Sequence, residues 1–188
     1  MRLIPFCIIL FVACKAPDAK LTTGQFLNMD SLVKAQAGVL IGYGVKKAIH
    51  VNDSVFPIKE TRKPIDWNKT LEAFQELSQF NRPIYRDAFS TIAKKDSKSN
   101  LIIRSWEAKT TLPLRSFKLF FLPATQQVKR IEISMQTSDF YYDSERKLVM
   151  EFSLLGGENR LESYCIAGSQ KYFWAQPEHF SINCEVIP

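Results

Sequence analysis

The sequence predicts an α+β domain in which two helices pack on one curved, mostly meandering antiparallel β-sheet. Beyond residue 100, six segments alternate apolar and polar side chains and are joined by short turns. Two earlier segments carry apolar residues at helical spacing, each behind a residue suited to capping a helix. No internal repeat, linker or low-complexity tract divides residues 25–188, which read as one domain.

The elements follow in chain order. Asn28 can cap a helix in which Met29, Leu32, Val33, Ala37 and Leu40 keep one face, and Gly42 and Gly44 end it. Segments 45–51 and 55–59 read as two strands joined by the turn Asn52-Asp53-Ser54. Asp66 can cap a second helix whose Trp67, Leu71, Phe74 and Leu77 line one side. Residues 84–94 fit either a helix or a short helical turn leading into a strand, and their β-branched content favours the second. Segments 101–109, 115–122, 128–135, 147–154, 160–168 and 179–187 then read as strands. Asp143-Ser144-Glu145-Arg146 reads as a charged turn between two of them, and Gly156-Gly157 as a hairpin turn. Short connections imply antiparallel neighbours, because parallel pairing needs long crossovers.

Composition supports a folded globule: 46% of residues are apolar and there are only 7 Gly and 9 Pro. The formal charge of +6 is spread along the chain with no aromatic-plus-basic motif, so nucleic acid is not an expected partner. Alternation also separates two of the four cysteines. Cys184 shares a face with Phe180, Ile182 and Val186, whereas Cys165 lies opposite Tyr164 and Ile166. Thiols on opposite faces of a sheet cannot reach the separation that a disulfide requires.

Catalytic, metal and cofactor signatures are not found. The two histidines, His50 and His179, have no ligand-spaced partner, and no serine sits in a glycine-flanked elbow. An envelope hydrolase would have to draw on His50, His179, Asp87 and Glu178, so it is the second reading. The aromatic groups Phe140-Tyr141-Tyr142 and Tyr172-Phe173-Trp174 stand out more. Tyr141, Tyr172 and Trp174 are candidate ligand contacts, and a flat exposed row of them would suit a glycan. Alternation is expected to send some of each group into the core.

The N-terminus resembles an export signal. Arg2 precedes an uncharged run, Leu3 to Ala13, which is too short for a spanning helix of roughly 20 residues. Leu10-Phe11-Val12-Ala13-Cys14 resembles the lipobox of bacterial lipoproteins, with Phe11 where the consensus has Leu. The resemblance implies cleavage after residue 13 and acylation of Cys14. Residues 14–24, polar with one Pro and one Gly, would form the tether. A single acyl chain, at about 0.8 kcal/mol per buried methylene, holds a protein marginally, and two or more hold it firmly. Lys15 does not match the Asp that retains lipoproteins in the inner membrane of well-studied bacteria, so the periplasmic side of the outer membrane is expected.

Several segments together resemble an uncharacterised family of Gram-negative lipoproteins, over nearly the whole chain after residue 13. They are Asn28-Met29 with Leu32-Val33, Ile65-Asp66-Trp67 with Leu71 and Phe74, and Asn81-Arg82-Pro83 with Arg86-Asp87. Ser144-Glu145-Arg146-Lys147-Leu148 with Glu151-Phe152 follows, then Ser163-Tyr164, Ile166 and Gly168-Ser169-Gln170-Lys171. Asn52-Asp53 stands in place of the more usual Asn-Gly turn. The resemblance implies a lipid-anchored single domain and no particular activity. The expected function is therefore a non-enzymatic binding or assembly accessory without a cofactor. Its expected partners are the membrane through its anchor and an apolar ligand, a glycan or an envelope protein. An apolar carrier would need a cavity of several hundred Å³ between helices and sheet.

Overall fold

The computed structural model describes residues 27–85 and 87–188, so the signal segment 1–13, Cys14 and the tether 14–24 lie outside the described residues. Its body is one antiparallel sheet of nine strands in the order β2-β1-β9-β8-β7-β6-β5-β4-β3. The first pair is β1 (Gly44–Val51) and β2 (Ser54–Thr61), a hairpin. The other seven are β3 (Phe89–Lys95), β4 (Ile102–Ala108), β5 (Leu114–Phe121), β6 (Val128–Ser138), β7 (Tyr142–Leu155), β8 (Glu158–Tyr172) and β9 (Glu178–Ile187). They form a meander, each beside the next in sequence, and β1 joins the far side of β9. Segment 84–94 resolves as a helical turn (Pro83–Tyr85) leading into β3.

Helices are the minor part, so the sheet-dominated half of the expected fold holds and the picture of two packed helices is corrected. The first helix forms as read: α1 (Met29–Val39), with the Asn28 side chain accepting from the Ser31 N–H at 3.1 Å. The second breaks into α2 (Trp67–Thr70), α3 (Glu72–Gln75) and a 3₁₀ run (Glu76–Asn81). Asp66 caps its start as expected, accepting from Lys69 N–H. The physical reason for the break is visible in the spacing. Leu71, Phe74, Leu77 and Phe80 are all buried and recur every third residue, the period that a 3₁₀ helix keeps on one side and an α-helix does not.

A second correction concerns Asp143-Ser144-Glu145-Arg146, which lies inside β7 and not in a turn. The turn falls earlier, where Asp139 Oδ1 accepts from the N–H groups of Tyr141 at 2.8 Å and Tyr142 at 2.9 Å. Glu145 points to the solvated face of the sheet and Arg146 to a part of the other face that the helices leave open, so neither charge opposes a strand. Gly156 and Gly157 form the β7–β8 turn as read, with φ of +60° and +87°.

Across the helix-bearing face, side chains lie in rows perpendicular to the strands. The row Leu119, Ile131, Met150, Tyr164 and Cys184 is buried throughout and reaches Lys47 on β1. In the next row Trp106, Phe117, Ile133 and Leu148 are buried, while Ile166, Ile182 and Ile49 are half-buried. One row further, Leu114 and Met135 are buried but Arg146, Gly168, Phe180 and Val51 are only partly covered. Helical cover thus stops part-way along the long strands. The salt bridge from Arg146 to Glu76, at 3.4 Å, lies at its boundary.

Candidate functional site

Beyond that boundary β7 and β8 run on between β6 and β9 without helical cover, and their ends and the two turns there carry six aromatic rings. Tyr142 and Tyr172 are cross-strand partners with ring centroids 5.1 Å apart. Tyr172 stacks on Trp174 at 5.4 Å, and Trp174 meets Phe173 edge-on at 4.9 Å. Across the gap, Tyr141 lies 6.1 Å and Phe140 6.4 Å from Phe173. The backbone holds the two turns together: Phe173 N–H donates to the Tyr141 carbonyl at 3.0 Å, and Asp139 N–H to the Tyr142 carbonyl at 2.9 Å. The structure therefore unites Tyr141, Tyr172 and Trp174, along with Phe140, Tyr142 and Phe173.

Two expectations about these rings are corrected. None of the six enters the buried core, although alternation was expected to send some there. Alternation still operates, but the face it selects is bare at this end. Nor do the rings form a flat row. Neighbours meet at steep angles, 85° for Phe140–Tyr141 and 87° for Phe173–Trp174, and the parallel Tyr172–Trp174 pair turns one face of each ring on the other. The shape is a protruding tuft: Phe140 is 82% exposed, Phe173 and Trp174 66%, and Tyr141 59%.

The candidate acid–base residues are not brought to one cleft. Asp87 precedes β3 at one edge of the sheet, whereas His50, His179 and Glu178 lie on β1 and β9, toward the other edge. Glu178 accepts from Gln170 Nε2 at 3.2 Å. His179 contributes its backbone to a clamp with Asn52: His179 N–H donates to Asn52 Oδ1, and Asn52 N–H to the His179 carbonyl, both at 2.8 Å. Asn52 adopts φ of +49°, a left-handed turn position that asparagine tolerates.

Cys165 and Cys184 are free thiols on opposite faces, as parity requires. Burial raises the pKa of each thiol, and burial followed by a hydrogen bond to Cys184 raises the Tyr164 phenol. Thiols held in their neutral form, here one buried and one half-buried, are poor nucleophiles. Among the described residues, no three His, Cys, Asp or Glu side chains are grouped to hold a metal ion.

Two open concavities stand out among the described residues, and neither lies between helices and sheet. One, of about 600 Å³, sits on the solvated face beside Lys46, Glu151, Glu162, Cys165 and Glu185. The other, of about 450 Å³, lies between the end of α1 and residues 64–68. The space an enclosed apolar ligand would need is filled by Phe74, Leu71, Trp106, Phe117 and their neighbours. No helix among the described residues is long and apolar enough to cross a membrane. Comparison with family models, with curated proteins and with solved structures returns no match, so the site is read from its own geometry.

Proposed function

We propose that this chain is a bacterial envelope lipoprotein, anchored through acyl chains on Cys14, whose body is a non-enzymatic docking module. The exposed aromatic end carries the docking half of this reading. A folded domain gains nothing in stability from four large rings left mostly in water, and exposed apolar patches mark interaction surfaces. The order Arg2, uncharged run, Ala13-Cys14 supports the anchor, and Lys15 supports the outer membrane. Among the described residues, Asp87 lies across the sheet from His50, His179 and Glu178, and the core between helices and sheet is filled, so neither the catalytic nor the enclosed-carrier reading gains support.

The test is metabolic labelling with a radioactive or clickable fatty acid, followed by density separation of the membranes. The label should co-migrate with the wild-type chain in the outer-membrane fraction. Cys14→Ser should carry no label and keep residues 1–13. A Cys14→Ser chain that is cut at the same place and still sediments with membranes contradicts the anchor.

A further inference from the structure

We infer that the aromatic end is a membrane-contact surface, with Phe140, Tyr141, Phe173 and Trp174 entering the headgroup–acyl boundary of a bilayer. This rests on the lipoprotein reading in one respect only, the proximity of a membrane. Four observations point to a bilayer in preference to another partner.

The first is chemical. Trp and Tyr favour the membrane–water boundary, where an apolar ring and a polar atom are both accommodated, and Phe adds apolar area. Here a Tyr and a Trp join two Phe within two adjoining turns, 139–141 and 173–177, and Tyr142 and Tyr172 lie at the strand ends beside them. The second is geometric. Rings set at 85–87° to their neighbours form no shared plane, and a fluid interface accepts protruding rings at any angle. The third is rigidity. Asp139 ties down two N–H groups of its turn, and the Phe173–Tyr141 backbone bond locks the second turn to it, so the rings are presented in advance of contact.

The fourth combines charge and reach. Asp139, Asp143 and Glu178 flank the tuft against one base, Lys171, which suits neither a polyanion nor an acidic lipid surface. Contact is therefore carried by rings on zwitterionic lipid. Residues 15–26 separate Cys14 from the described body, and a chain of that length spans at most on the order of 40 Å. β8, with 15 residues, is on the order of 50 Å long. A body held at Cys14 thus stays within about one strand length of the bilayer that holds its anchor.

Trp174 is a native probe for the idea, because the other two tryptophans, Trp67 and Trp106, are 3% and 2% exposed. The acylated full-length chain is placed in phosphatidylcholine vesicles with lipids spin-labelled at a shallow or a deep acyl position. The shallow label should quench the exposed tryptophan about twofold or more, and the deep label less. Trp174→Phe should abolish the quenching. Phe140→Asp combined with Phe173→Asp should reduce it severalfold while the chain stays on the vesicles, and unchanged far-UV dichroism shows that this variant is folded.

An anchored wild-type chain whose emission ignores both labels overturns the inference and leaves the lipoprotein reading intact. So does a photo-crosslinker at Phe173 that labels a protein and no lipid. If mass spectrometry finds no acyl group on Cys14, the anchor reading fails, and titration of the unacylated chain with the same vesicles decides the inference separately. Saturable quenching then supports it, and none at millimolar lipid overturns it.

Discussion

The helix-bearing face of the sheet is two surfaces in one. Toward the Gly156-Gly157 turn and the β4–β6 side, rows such as Leu119, Ile131, Met150 and Tyr164 are sealed beneath α1 and the 67–81 run. Toward the 139–141 and 173–177 turns, the same strands carry Ile166, Ile182, Phe180 and Tyr172 with partial cover or none. Alternation is equally regular in both. What differs is the roof, and the lesson is that an apolar stripe on a strand says which face it occupies and not whether that face is covered. Gly168 lies in the partly covered region: a Cβ there would meet the Glu145 carbonyl and come within 3.1 Å of the Phe180 ring, so its absence lets that ring lie close over the strands.

If the roofed part carries the stability and the bare part the docking, substitutions should separate the two. The largest effect is expected for Phe74→Ala, which removes a fully buried ring in edge contact with Tyr164 at 6.1 Å. It should cost about 3–5 kcal/mol in urea unfolding. A loss below about 1 kcal/mol would mean that the roof is not the seat of stability.

Next is Gln36→Leu. This buried amide donates to the Asn159 carbonyl at 2.9 Å and accepts the Leu161 N–H at 2.7 Å, linking α1 to β8 beside the bulge after Glu151. Leaving those backbone groups unpaired should cost about 1–3 kcal/mol. Amide exchange at Leu161 should rise with it.

Alkaline pH offers a third test. Tyr164, Cys165 and Cys184 are all raised by burial, so each holds its proton more tightly folded than unfolded. Their contribution is intact below the ordinary thiol value of 9.0 and is lost as pH climbs past it, because the unfolded chain ionises first. The melting temperature should therefore fall as pH rises past 9.0. Cys165→Ala combined with Cys184→Ala should blunt that fall. An equal fall in the double variant would assign it to other groups.

The smallest effect on stability is expected where docking is proposed. Phe173→Ser with Trp174→Ser should leave unfolding within about 0.5 kcal/mol of wild type, as exposed positions do. The same pair should lose the membrane contact. A large drop in stability would show that the tuft is structural.

Much of the sheet was legible in the sequence because its signals are local. Strand parity put Tyr164, Ile166 and Cys184 on one face and Cys165 on the other, and Asn28 and Asp66 announced their caps. The three-residue spacing of Leu71, Phe74, Leu77 and Phe80 was equally visible, but it resembles an α-helical stripe over so short a run. Asp143–Arg146 misled for a different reason. Charge density ordinarily marks a turn, and only the extent of the roof reveals that those residues need no burial. The same limit governs the site. Both aromatic groups could be singled out, yet their union across two turns and their exposure depend on where α1 and the 67–81 run end. That is a tertiary fact.

Hydrogen exchange tests most directly whether the two ends of the long strands have different roles. The acylated chain in phosphatidylcholine vesicles is compared with Cys14→Ser free in solution. Exchange should slow in turns 139–142 and 173–177 and stay unchanged at 154–158 around the opposite turn. Equal exchange at both ends in the two samples, or slowing confined to 154–158, would contradict the account.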